Sequence, residues 1–185
     1  LRDAGIVWKY KSLRWVSLSA FSFSAMQVGL STFTVTMLVI DLNFSLIEAG
    51  AVLAVMQAAG VIGRILWGWV ADRSGSPSGV LAAITLITII SALVMVVIDS
   101  NTPVVMVYLL LALMGMTAIG WNGVYLAEIA RLAPSGLISS ATGASMVITY
   151  AGVMVGPATM AAVYGLAGSY TLTFALFSVI PLAGL

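Results

Sequence analysis

The sequence predicts an all-α membrane protein, a bundle of six transmembrane helices with both ends on the cytoplasmic side. Three observations predict it. The 185 residues are 62% hydrophobic and 7% charged, whereas a soluble domain carries about 25% charged residues. The apolar residues gather into six runs, near 15–40, 46–71, 79–98, 103–127, 138–163 and 170–185. About 20 residues at a rise of about 1.5 Å cross the hydrocarbon, and only helices or closed barrels satisfy their backbone there. No ten-residue alternation of a membrane barrel appears. Finally, all seven Lys and Arg fall on one side of the six crossings. The bias of basic residues toward the cytoplasm makes that side the inner one.

Each element has its own punctuation. Arg2, Lys9, Lys11 and Arg14 precede span one. Ser45 to Glu48 reads as a capping box opening span two, with Phe44 placed as a staple. Arg64 and Arg73 lie toward the end of that span. Ser76-Pro77 fits an N-cap followed by proline at the first position of span three. Asp99 to Pro103 opens span four in a similar way. Pro134 to Gly136, with Arg131 just before it, links spans four and five, and Gly165 to Ser169 links five and six. The outer links hold Asp41, Glu48 and Asp99 and no basic residue. Residues 1–185 read as a single bundle without a soluble domain. The first residue is Leu1, and Leu185 lies inside an apolar run, so the expectation is a fragment of a longer chain.

Cysteine and histidine are both absent. That excludes disulfides, thiolate or imidazole metal sites, and cysteine or histidine catalysis. No catalytic residue, metal site, cofactor or nucleic-acid partner is expected.

The most informative stretch runs from Gly60 to Gly75. Gly68 allows close approach of another helix, and Gly75 suits a turn with positive φ. Asp72 sits at a helix C-terminus, where the macrodipole disfavours an anion, so it needs a compensating partner. Gly68, Asp72, Arg73 and Gly75 resemble the cytoplasmic loop motif of the major facilitator superfamily, G-x-x-x-D-R-x-G-R-[KR]. The basic pair that closes the motif is replaced by Ser76 and Pro77, as in the weaker copy between the eighth and ninth helices of that family. Ala49-Gly50, Gln57, Gly60, Gly63-Arg64, Gly120 to Gly123, Glu128, Arg131, Gly152, Gly156-Pro157 and Gly168 to Tyr170 are similar to the C-terminal six-helix half of a bacterial member, in the cyanate-permease-like or organic-anion subgroup. The resemblance implies one half of a major facilitator fold in the bacterial inner membrane. It implies a missing N-terminal six-helix bundle as partner, with the lipid bilayer around both. It also implies alternating access to a small solute near the midplane, with Asp72 as a cytoplasmic latch against the other bundle.

Two readings are open for Arg64. Eight residues before Asp72, it lies about 12 Å into the membrane, where an arginine costs about 2.5–3.5 kcal/mol on insertion scales and faces a partner or a cavity. Either it pairs with Glu128, or it faces the central cavity as an anion-binding or gating residue. Glu128 and Arg131 are spaced to pair along one helix face, or Asp72, Arg73, Glu128 and Arg64 form a cytoplasmic charge cluster that opens and closes.

Polar stripes mark the candidate cavity. Span one carries Ser24, Gln27, Ser31 and Thr34 on one face; span two adds Gln57; span four adds Trp121 and Asn122; span five adds Ser145, Thr149 and Tyr150. The alternative is that these side chains cement helix packing. Gly152, Gly156 and Pro157 read either as a packing face with a proline kink or as a functional bend. Thr85, Thr88 and Ser91 in span three leave it peripheral and lipid-facing. No carboxylate is expected at the midplane, so a coupling proton has no site in this chain. The function expected is secondary transport of a small organic anion. The rivals are a solute sensor or assembly subunit without transport, and an intramembrane enzyme, for which no nucleophile setting exists.

Overall fold

The computed structural model describes residues 5–179. Arg2 and the end of the sixth run, 180–185, lie outside them. Eight helices follow in order: α1 (Ile6–Lys9), α2 (Lys11–Ile40), α3 (Leu46–Ser74), α4 (Pro77–Val96), α5 (Val104–Ala118), α6 (Asn122–Leu132), α7 (Ile138–Ala167) and α8 (Tyr170–Ser178). Five segments are long and apolar enough to cross a membrane: α2, α3, α4, α5 with α6, and α7. The sixth run begins as α8, and its described part ends near Ser178.

Local chemistry sets several ends. The Ser45 hydroxyl accepts from the Glu48 N–H at 3.3 Å, and the Ser45 N–H donates to Glu48 Oε2 at 3.0 Å, closing the capping box. Gly75 ends α3 at φ 65°, a conformation that a side chain would strain. Pro77 occupies the first position of α4, but Ser76 makes no capping bond to it. Pro103 likewise has no side-chain cap. Asp99 shapes that turn instead, accepting from the Asn101 N–H at 3.0 Å and the Thr102 hydroxyl at 3.1 Å.

Two parallel helix pairs build the interior, α2 along α7 and α3 along α5. Both are glycine seams. A Cβ on Gly152 would strike the Phe21 carbonyl of α2, and one on Gly156 would strike Ala25. So the close-packing reading of these glycines describes α7, which continues through Pro157 without interruption. On the other pair, Gly60 meets Ile119, Gly63 meets the Met116 backbone, and Gly115 meets the Met56 carbonyl. Gly68, expected to receive a helix, has nothing within 4 Å of its would-be Cβ. The approach on α3 occurs one and two turns earlier.

The α4 hydroxyls of Thr85, Thr88 and Ser91 bond back to the carbonyls of Leu81, Ile84 and Ile87. Its opposite face leaves Leu86, Ile90 and Leu93 exposed, as a lipid-facing helix requires.

Span four differs from the expected single helix. The backbone ladder stops after Ile119 N–H bonds the Gly115 carbonyl, and resumes at Tyr125 N–H to the Trp121 carbonyl. The reason is steric. At Gly120 a Cβ would lie 3.0 Å from the Gly63 carbonyl carbon, so the two backbones meet where span four turns. Freed carbonyls in an apolar medium cost several kcal/mol unless they are bonded. Here the Trp67 indole N–H donates to the Met116 carbonyl at 2.9 Å, and the Asn122 amide donates to the Ile119 carbonyl at 3.2 Å.

Candidate functional site

The break in span four sets the site. It lies near the middle of the Val104–Leu132 span, level with Gly63 of α3, and turns Trp121 and Asn122 toward α2. Gln27 of α2 meets them. Its Oε1 accepts from Trp121 Nε1 at 2.9 Å and from Asn122 Nδ2 at 3.2 Å. Trp121 is buried and stacked on Phe23, with ring centroids 5.2 Å apart. Beside this group opens a cavity of about 290 Å³, to which Gln27, Arg64, Asn122, Tyr125, Thr149 and Tyr150 contribute polar groups and Val28, Leu126, Met146 and Val153 contribute apolar ones.

Arg64 faces this cavity. Its Nε donates to the Ile119 carbonyl at 3.5 Å, and among the described residues no carboxylate reaches its two terminal nitrogens. The expected pair with Glu128 does not form. Arg64 is level with Gly123, whose would-be Cβ lies 3.1 Å from the Arg64 carbonyl. Glu128 is five residues, about 7.5 Å, further along α6. Glu128 is taken by Arg131, which grips it through Nε at 2.7 Å and a terminal nitrogen at 2.6 Å. The carboxylate is buried and the guanidinium half exposed, so this is not a solvated surface pair. It is the one ion pair among the described residues.

The four-residue charge cluster is therefore not assembled in this chain. Asp72 is exposed and has no hydrogen-bond partner among the described residues, Arg73 lies over the Trp69 ring at 5.4 Å, Glu128 is held by Arg131, and Arg64 stands apart in the cavity.

The cavity stripe divides. Gln27, Trp121, Asn122, Thr149 and Tyr150 come together around one concavity. Gln57 and Ser31 sit beyond it and bond each other, Gln57 Nε2 to Ser31 Oγ at 3.1 Å. Thr34 is buried and bonds the Leu30 carbonyl at 2.6 Å, as a packing hydroxyl does. Ser24 Oγ bridges to the Thr149 carbonyl at 2.7 Å.

Two contributors, Tyr125 and Ser17, carried no signal in isolation. Tyr125 bonds Ser145 Oγ at 2.5 Å and Thr149 Oγ1 at 3.3 Å, and Ser145 continues to Ser17 at 2.7 Å. This chain of hydroxyls ties α6, α7 and α2 under the cavity floor. Its readable trace is that Tyr125 lies one turn after Trp121, on the same helix face.

Fold and site together define an integral membrane protein of the polytopic α-helical class. The chain belongs to the Major Facilitator Superfamily, whose sequence profile matches residues 1–157. The fold is similar to that of a variant of the E. coli fucose:proton symporter FucP, with a TM-score of 0.73 at 18% identity, covering 99% of this chain and 45% of that one. A structure of FucP in the outward conformation gives 0.71 at 19% identity, covering 95% and 42%. This chain thus spans less than half the length of either. No curated protein sequence matches it. The family and both neighbours are transporters and not enzymes.

Proposed function

We propose that this chain is one half of a secondary carrier that moves a small organic anion by alternating access, with the anion held at Arg64. The observation that carries it is Arg64 itself: a guanidinium in a cavity of about 290 Å³ on a membrane-spanning helix, with both terminal nitrogens unpaired among the described residues. A charge kept inside the membrane without a partner is costly, and such residues mark ligand and ion paths. FucP is described as carrying fucose and a proton. Fucose is uncharged, whereas the cavity here offers a cation and no carboxylate among its described lining, so the anion is the better match. On this reading the chain is the C-terminal half of a bacterial inner-membrane protein, in the cyanate-permease-like or organic-anion subgroup. Both its termini are cytoplasmic, and an N-terminal six-helix bundle completes it. Asp72, bare at the basic end, is the latch that this second bundle meets.

The test is uptake of radiolabelled benzoate and butyrate by the full-length protein in proteoliposomes. Saturable uptake that falls about 100-fold in Arg64→Gln and partly survives in Arg64→Lys supports the carrier, since lysine keeps the charge but not the planar fork. Binding without flux favours the solute sensor. Uptake indifferent to Arg64→Gln overturns the anion site.

A further inference from the structure

Gln27 carries a polarity that its neighbours fix. The two ends of a side-chain amide have nearly the same shape, and the hydrogen-bond network decides which end faces where. An indole nitrogen donates and never accepts. Trp121 Nε1 therefore requires the oxygen of Gln27, which it meets at 2.9 Å, and the Asn122 amide reinforces that choice at 3.2 Å. Trp121 has little freedom of its own. It is 1% exposed, stacked on Phe23 and tilted against Tyr125 at 5.4 Å. The Gln27 carbonyl is thereby turned to the break in span four. Its amide N–H₂ takes no partner among the described residues and belongs to the cavity wall that Arg64 shares. Arg64 gives only its Nε to the Ile119 carbonyl, so both terminal groups stay available as donors.

We infer that Gln27 and Arg64 form a donor-only clamp for a carboxylate, and that Trp121 is the positioning residue that sets the clamp's polarity. This rests on the anion reading of the same cavity. The ligand class follows from the rest of the wall. Val28, Leu126, Met146 and Val153 are apolar and no described lining residue is acidic. The site suits a monocarboxylate with an apolar body. Its described lining offers no carboxylate to pair with the ammonium of an amino acid.

The test compares acid and amide of the same shape on full-length protein by calorimetry: benzoate with benzamide, phenylacetate with phenylacetamide, and butyrate with butyramide. The wild type is expected to prefer the acid in at least one pair. Trp121→Phe keeps a stacked ring but removes the N–H, which frees Gln27 to turn. Acid affinity then falls about 10-fold while the amide's is unchanged, and the thermal unfolding midpoint stays within a few degrees. Gln27→Glu places an anion toward Arg64 and lowers acid affinity about 100-fold. No preference for acid over amide in any pair overturns the clamp. If Arg64→Gln abolishes acid binding while Trp121→Phe and Gln27→Glu leave the acid-to-amide ratio unchanged, the clamp falls and the carrier reading stands. If Arg64→Gln also has no effect, both fall.

Discussion

At the end of the bundle away from the basic residues, every acidic side chain is engaged. Asp41 Oδ2 accepts from the backbone N–H of Tyr170 at 2.9 Å and of Thr171 at 3.3 Å, tying the end of α2 to the start of α8. Glu48 closes its capping box, and Asp99 is wrapped by Asn101 and Thr102. Above Asp41 the rings of Tyr164 and Tyr170 stack at 3.9 Å. Toward the basic end, among the described residues, Asp72 has no bond, Arg73 rests on an aromatic face, and the Arg64 guanidinium is bonded only through Nε. Glu128 with Arg131 is the exception. One end is complete within this chain. At the other, Asp72 and most of the Arg64 guanidinium have no partner among the described residues, which suits the latch and ligand site proposed above.

The contrast can be broken or sharpened by substitution, with stability read from unfolding of the full-length protein in detergent. The largest loss is expected for Arg131→Ala, because it strands a buried carboxylate, although the half-exposed guanidinium makes the pair weaker than a fully buried one. Glu128→Leu should be near neutral, and an equal loss there would show that the pair itself stabilises the fold. Asp41→Ala is expected to cost about 2 kcal/mol, through lost backbone bonds and lost charge at a helix N-terminus. A loss under about 0.5 kcal/mol would mean that the outer end is not held by Asp41. Asp72→Ala should leave stability within about 0.5 kcal/mol yet change transport rate. Destabilisation comparable to that of Asp41→Ala would remove the distinction between the two ends.

The smallest effect concerns acid. The side-chain amide and backbone N–H of Asn101, together with Thr102, hold the Asp99 carboxyl below its ordinary value. The folded group is therefore the stronger acid. Its contribution is full above the unfolded value, about 4, and is lost as pH falls through the lowered folded value. Hydrogen exchange at the Asn101 N–H should quicken only below about pH 4, and Asp99→Ala should abolish that dependence.

Much of the fold could be read from the residues because hydropathy and turn chemistry are local. The five described spans, the Ser45–Glu48 box, Pro77 at a first position and Gly75 in a left-handed turn all follow from short-range rules. The break at Gly120 does not, because a glycine inside an apolar run has the same hydropathy whether the helix continues or stops. Its cause is the Gly63 backbone 57 residues earlier. The site was legible as a set of faces: Gln27, Trp121, Asn122, Thr149 and Tyr150 do share one concavity. Partner choice was not. Charge and depth left Arg64 open between Glu128 and the cavity; in the fold it is level with Gly123, while Arg131, one turn from Glu128, takes the carboxylate.

The break in span four has a mechanical consequence. Two α3 side chains, Trp67 and Arg64, hold the carbonyls of Met116 and Ile119. If α3 rotates about its axis, both holds come off together; if α5 tilts, it pulls the same two side chains. The two helices are therefore geared, and Arg64 is a tooth of that gear. On the proposed reading, a ligand that drew the guanidinium toward itself would loosen the Arg64 hold on the Ile119 carbonyl and so load the contact between α3 and α5.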